Sequence, residues 1–146
     1  MCLVLYFGSE RPIEVQAIAT AFGDVGLVAD VRPDVHAVIG TAHSVRVTTE
    51  WDGCCCSALD DFKAYFDPGE PDDVDQDRKH TAMLAALARL IESLAQLRGT
   101  RLVALWDGGT LLPAKLMPPL DVTPLDVSVI SNETMAFSLI YPLRTA

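Results

Sequence analysis

Between residues 75 and 98, the side chains Met83, Leu84, Leu87, Leu90, Ile91, Leu94 and Leu97 recur every three or four positions. An α-helix turns once in about 3.6 residues, so that spacing gathers them into one apolar stripe. Acids crowd the start of the segment and Arg98 falls in its expected last turn. Gly99 stands where a left-handed C′ residue would close the helix. So long a helix with a single apolar face needs a broad apolar surface to lie on. The rest of the chain has to supply a sheet.

The flanking segments read as its strands. Residues 2–7 are continuously apolar and rich in β-branched or aromatic side chains, a fully buried strand ended by Gly8 and Ser9. Ser9 is placed to cap a short helix with Ile13, Ala17, Ile18 and Ala21 at helical spacing, and Gly23 ends it. Residues 27–31, 35–39 and 45–49 read as strands, the last two joined by a hairpin-like loop over 40–44. Residues 58–66 suggest a second short helix, with Leu59, Phe62 and Phe66 on one face. An acidic loop containing Pro68 and Pro71 covers about 67–77. After the long helix, residues 101–106 read as another buried strand, ended by Asp107, Gly108 and Gly109. Four prolines between 110 and 124 predict an extended arm, and 127–130 with 135–141 a terminal antiparallel hairpin. The fold class this predicts is α+β, with one long and two short helices packed on a mixed, mainly antiparallel sheet. A single domain over 1–146 accommodates it.

Half of the residues are hydrophobic and only 21% are charged, so disorder is excluded for most of the length. Surplus apolar surface at this chain length predicts a homo-oligomer. Twenty acids stand against eleven Lys and Arg, for a net charge of −9. That balance argues against nucleic acid and against anionic membrane surfaces, both of which need clustered cations. Residues 1–7 are apolar but far shorter than the ~20 residues of a membrane span. They also lack a basic n-region and a cleavage site. The expectation is a cytoplasmic protein whose cysteines stay reduced.

Those cysteines are the residues with most chemical capacity. Cys54, Cys55 and Cys56 follow Trp51, Asp52 and Gly53, and Cys2 lies in the first strand. Cys54 and Cys56 form a Cys-x-Cys pair to which Cys2 and His43, or His80, can add ligands, and zinc is the metal such thiolates suit. A C-x2-C pair and a second knuckle are both missing, so small thiols filling a core are the simpler account. Cys54 to Ser57 also makes a C-x-x-S arrangement of the monothiol redox kind, but Asp52, Asp60 and Asp61 would raise the thiol pKa. Asp73, Asp75 and Asp77 match the first three ligands of a calcium loop, yet Arg78 replaces its glycine and Leu84 its glutamate. G-x-S-x-G, P-loop and dinucleotide motifs are absent, and no residue is assigned a catalytic role. Among the histidines, His36 falls in a predicted strand, His80 on the edge of the helical stripe and His43 in a loop. The arm over 111–120 is expected to form a subunit interface in preference to a ligand pocket.

Trp51-Asp52-Gly53 and Trp106-Asp107-Gly108 close two strand-like runs in the same way, an aromatic anchor followed by a turn. Together with Met1-Cys2-Leu3-Val4-Leu5-Tyr6 and Gly53-Cys54-Cys55-Cys56, the later turn makes the chain resemble an uncharacterised family of small bacterial proteins. In that family an N-terminal MCxxLY strand, a GCxC-type segment and a WDG turn occur together. The resemblance covers about a third of the chain in short pieces and implies no activity. It implies that Cys2, Cys54 and Cys56 form one pattern and that Cys55 is the variable position. Residues 57–80 and the C-terminal third depart from it. The reading is a bacterial cytoplasmic binding or interaction domain with structural cysteines. The alternative is a thiol- or metal-dependent protein using Cys2, Cys54 and Cys56.

Overall fold

The computed structural model describes residues 2–50, 55, 74–107, 112–123, 125, 127–130 and 136–145. In chain order these form β1 (Cys2–Ser9), α1 (Val15–Phe22), β2 (Leu27–Val31), α2 (His36–Ile39), β3 (His43–Thr49), α3 (Val74–Leu94), β4 (Arg101–Asp107), β5 (Ala114–Leu116), β6 (Leu120–Asp121) and β7 (Ser138–Arg144). Single 3-10 turns occupy Gly23–Val25, Pro33–Val35 and Val127–Val129. The sheet runs β2-β3-β1-β4-β7-β5, with β6 also on β7. All neighbours are antiparallel except β5 and β6, which lie parallel to β7. The architecture is the expected α+β arrangement, a mostly antiparallel mixed sheet carrying helices. Among the described residues no helix is long and apolar enough to cross a membrane.

β1 sits in the middle of the sheet, and every residue from Leu3 to Ser9 is buried. Its unbroken apolar run follows from that position, since a central strand covered on both faces has no polar side to alternate with. The register puts Leu5, Phe7, Val45, Val47, Leu102 and Ala104 on one face of the sheet. Tyr6, Gly8, Arg46, Arg101 and Val103 lie on the other. α2 covers the second face at Gly8, where an added Cβ would strike Thr41 Oγ1 and Ile39 Cγ2.

α3 buries Met83, Ala86, Leu87, Leu90, Ile91 and Leu94. Each large side chain hidden in this way stabilises the fold by about 1.5–3 kcal/mol. The helix stops at Leu94, short of Arg98. Thr100 Oγ1 lies 2.7 Å from both the Leu94 and the Leu97 carbonyl oxygens, replacing helical partners there. Gly99 takes the expected positive φ, 70°, and turns the chain into β4, but it lies five residues past the helix end and is not its C′ residue. Ser9 is not a helix cap. It ends β1, where its hydroxyl donates to the Arg98 carbonyl at 3.3 Å and accepts the Arg11 amide at 3.0 Å, while α1 begins only at Val15.

Two strand expectations are corrected. Residues 35–39 are helical, because Pro33 starts a 3-10 turn and Gly40 ends α2 at φ 74°. Val35 and Ile39, four apart, bury one helical face, a spacing that also reads as alternation over five residues. Among the described residues, 127–130 do not pair with 136–141 as a hairpin. They form a 3-10 turn, and β7 joins β4 and the arm instead. The arm is one edge strand in two pieces. Four steps from Leu116 to Leu120 match three from Ile140 to Leu143, a bulge placed at Pro118 and Pro119, which have no amide to donate. The helix predicted over 58–66 and the acidic stretch over 67–73 lie outside the described residues. From Val74 the chain is helix, not loop.

Candidate functional site

The cysteine region is positioned by β1 and β3. Cys55 is buried, 1% exposed, inside the hydrophobic core. Its amide donates to the Leu3 carbonyl at 2.7 Å, and its thiol donates to the Val47 carbonyl at 3.1 Å. Both acceptors belong to adjacent strands, so the cysteine bridges the sheet beside the start of β1. Cys2 opens β1 with its backbone opposite Asp107. The middle of the triplet and Cys2 therefore occupy the same end of one strand. Cys54 and Cys56 lie outside the described residues.

His43 is elsewhere. It opens β3, half-buried, directly opposite Ser9. Ser9 and Cys2 are the two ends of β1, about 23 Å apart at ~3.3 Å per residue. Ligands of one zinc ion lie within ~2.3 Å of it, so His43 and Cys2 are not brought together. Among the described residues, no three His, Cys, Asp or Glu side chains converge as a metal site. Asp75, Asp77, Arg78 and Leu84 are all on α3, so the backbone does not wrap there as a calcium loop. His80 is half-buried on α3 and His36 half-buried at the start of α2.

A groove of about 360 Å³ opens between α1 and α3, lined chiefly by Ile13, Ala17, Ile18, Leu90, Leu94 and Leu97. Glu14 and Ser93 are the polar groups on it. Its walls are residues of the two apolar stripes that the sequence shows. What spacing does not show is the gap, which the short side chains of Ala17 and Ala21 leave open. The described part of the arm, 112–120, runs along β7 with Leu116 68% exposed.

On the opposite sheet face, ion pairs occupy the corner formed by β2 and β3. The Arg32 guanidinium lies 5.6 Å over the Tyr6 ring and grips Asp34 with two hydrogen bonds of 2.8 and 2.7 Å. The Asp34 hydrogen bond raises the Arg32 pKa above its ordinary value, and Arg32 in turn lowers that of Asp34. Arg46 holds Asp30 at 3.0 Å. Arg101 donates to the Ile39 carbonyl at 2.9 Å, tying α2 to the sheet. These cations are committed to partners within the chain. Compared with protein-family models, with curated proteins and with solved structures, the chain has no match.

Proposed function

We propose that this chain is a non-enzymatic binding or interaction domain of a bacterial cytoplasmic protein, with structural cysteines, and that it works as a homo-oligomer without nucleic-acid partners. The observation that carries the structural role is Cys55, whose buried thiol is used as a hydrogen-bond donor to the sheet. The apolar groove between α1 and α3 supports the binding reading, since concave apolar surface with few polar groups is what ligand sites offer. Arg32, Arg46, Arg98 and Arg144 each pair with a carboxylate, which weighs against a cationic surface for phosphates.

A second reading has one observation in its favour. The Cys55–Leu3 hydrogen bond puts Cys55 at the end of β1 that carries Cys2, an observation that supports the grouping the family resemblance implies. In that reading Cys2, Cys54 and Cys56 bind zinc or act as reactive thiols. Metal analysis of protein purified without chelator separates the two. The binding-domain account predicts no bound metal and an unchanged unfolding midpoint when zinc is added. Near-stoichiometric zinc that disappears in a Cys2→Ser, Cys54→Ser, Cys56→Ser variant would replace it with the second reading.

A further inference from the structure

The groove between α1 and α3 joins an apolar floor to two polar groups that the fold leaves unused. Ile18, Leu90 and Leu94, all buried, form the floor. Glu14 lines the groove from the N-cap of α1, and Ser93 lines it from α3. An N-cap favours Ser, Thr, Asp or Asn, whose short side chains reach the first free amides of the helix. The longer Glu14 side chain makes no such bond. Among the described residues, neither the Glu14 carboxylate nor the Ser93 hydroxyl has an ion pair or side-chain hydrogen bond. By contrast, Glu10, Asp30, Asp34 and Asp121 each hold an arginine.

Size limits what can enter. The volume of about 360 Å³ lies at the small end of the roughly 300–1,000 Å³ typical of small-molecule sites. The α1 wall is eight residues long, about 12 Å at ~1.5 Å per residue. That length suits a compact molecule better than a docked helix or strand. Charge limits the occupant further. No Lys, Arg or His is among the described lining residues, and Arg98, next to Leu97, is held by Glu10 at 3.3 Å. The carboxylate on the groove therefore has no cation of the chain to answer it. The net charge of −9 draws cations from solution.

We propose that this groove binds a small molecule with an apolar body and one cationic amine. The amine pairs with Glu14, the body lies on Leu90 and Leu94, and Ser93 offers a second polar contact. The proposal rests on the binding reading above and names its ligand class. An anionic molecule of the same shape meets the Glu14 charge and is disfavoured, while a neutral one gains the apolar contacts alone.

The test uses three probes of one shape: phenylbutylamine, phenylbutanol and phenylbutyrate. Each is titrated into the full chain, with binding read from backbone amide shifts in NMR spectra. The amine should shift the Ala17, Ala21 and Leu94 amides and bind about tenfold more tightly than the acid. In Glu14→Gln the amine should lose about tenfold in affinity while the alcohol keeps its own. Ala17→Leu, at an exposed position, should fill the groove and abolish binding of both without lowering the thermal midpoint. Amine and acid that bind the groove equally, or an amine whose affinity survives Glu14→Gln, would overturn the cationic class and leave the binding reading standing. Groove amides that respond to none of the probes would overturn the site and remove the groove's support for that reading. Groove amides that shift with protein concentration alone would assign the face to a second copy and overturn the proposal as well.

Discussion

At single positions the structure assigns costs that the sequence leaves open. Gly8 faces Thr41 and Ile39 with no room for a methyl group. Gly8→Ala should therefore destabilise the protein by about 1–3 kcal/mol, read from urea unfolding, because α2 must shift to admit it. Cys55→Ala should cost about 1–2 kcal/mol through lost burial and a Val47 carbonyl without its donor. The Arg32–Asp34 pair is solvent-exposed on the acid side, so its contribution is small, below ~1 kcal/mol. Its sign is fixed by the lowered Asp34 pKa: the contribution is present above the usual carboxylate pKa and fades as pH falls through the depressed folded value. Carbon-detected NMR titration of Asp34 should show that pKa return toward its ordinary value in Arg32→Ala.

At the scale of elements, α3 shows what periodicity can and cannot specify. The stripe from Met83 to Leu94 is buried as its spacing requires, while Gly99 adopts its left-handed turn five residues past the helix end. The end at Leu94 depended on Thr100, six residues on, whose hydroxyl reaches back to the helix. Thr100→Val should lower stability by about 1 kcal/mol in denaturant unfolding, with Thr100→Ser recovering most of it. Short elements were less legible. Val35 and Ile39 satisfy both a helical and a strand pattern over five residues, and only Pro33 and Gly40 at the boundaries favour the helix. The arm was legible as extended backbone. Its parallel pairing with β7 was not, because the partner lies more than twenty residues away and local pattern carries no information about it.

For the whole molecule, the sheet order places the chemistry. β1 at the centre, with β3 on one side and β4 on the other, puts Cys2 and Cys55 at one end and His43 at the other. The sequence offers Cys2 and His43 as candidates for one site, since their separation exists only once the register is set. The groove between α1 and α3 was unreadable for a similar reason: two apolar stripes predict contact, and the gap depends on the alanines that line it. A core role for Cys55 is what its burial and its hydrogen bond to the Val47 carbonyl support. It is tested most directly by the rate at which Cys55 is alkylated in the native protein, followed by peptide mass mapping. Cys55 should react at least a hundredfold more slowly in native than in denaturant-unfolded protein. Equal rates in the two states would contradict it.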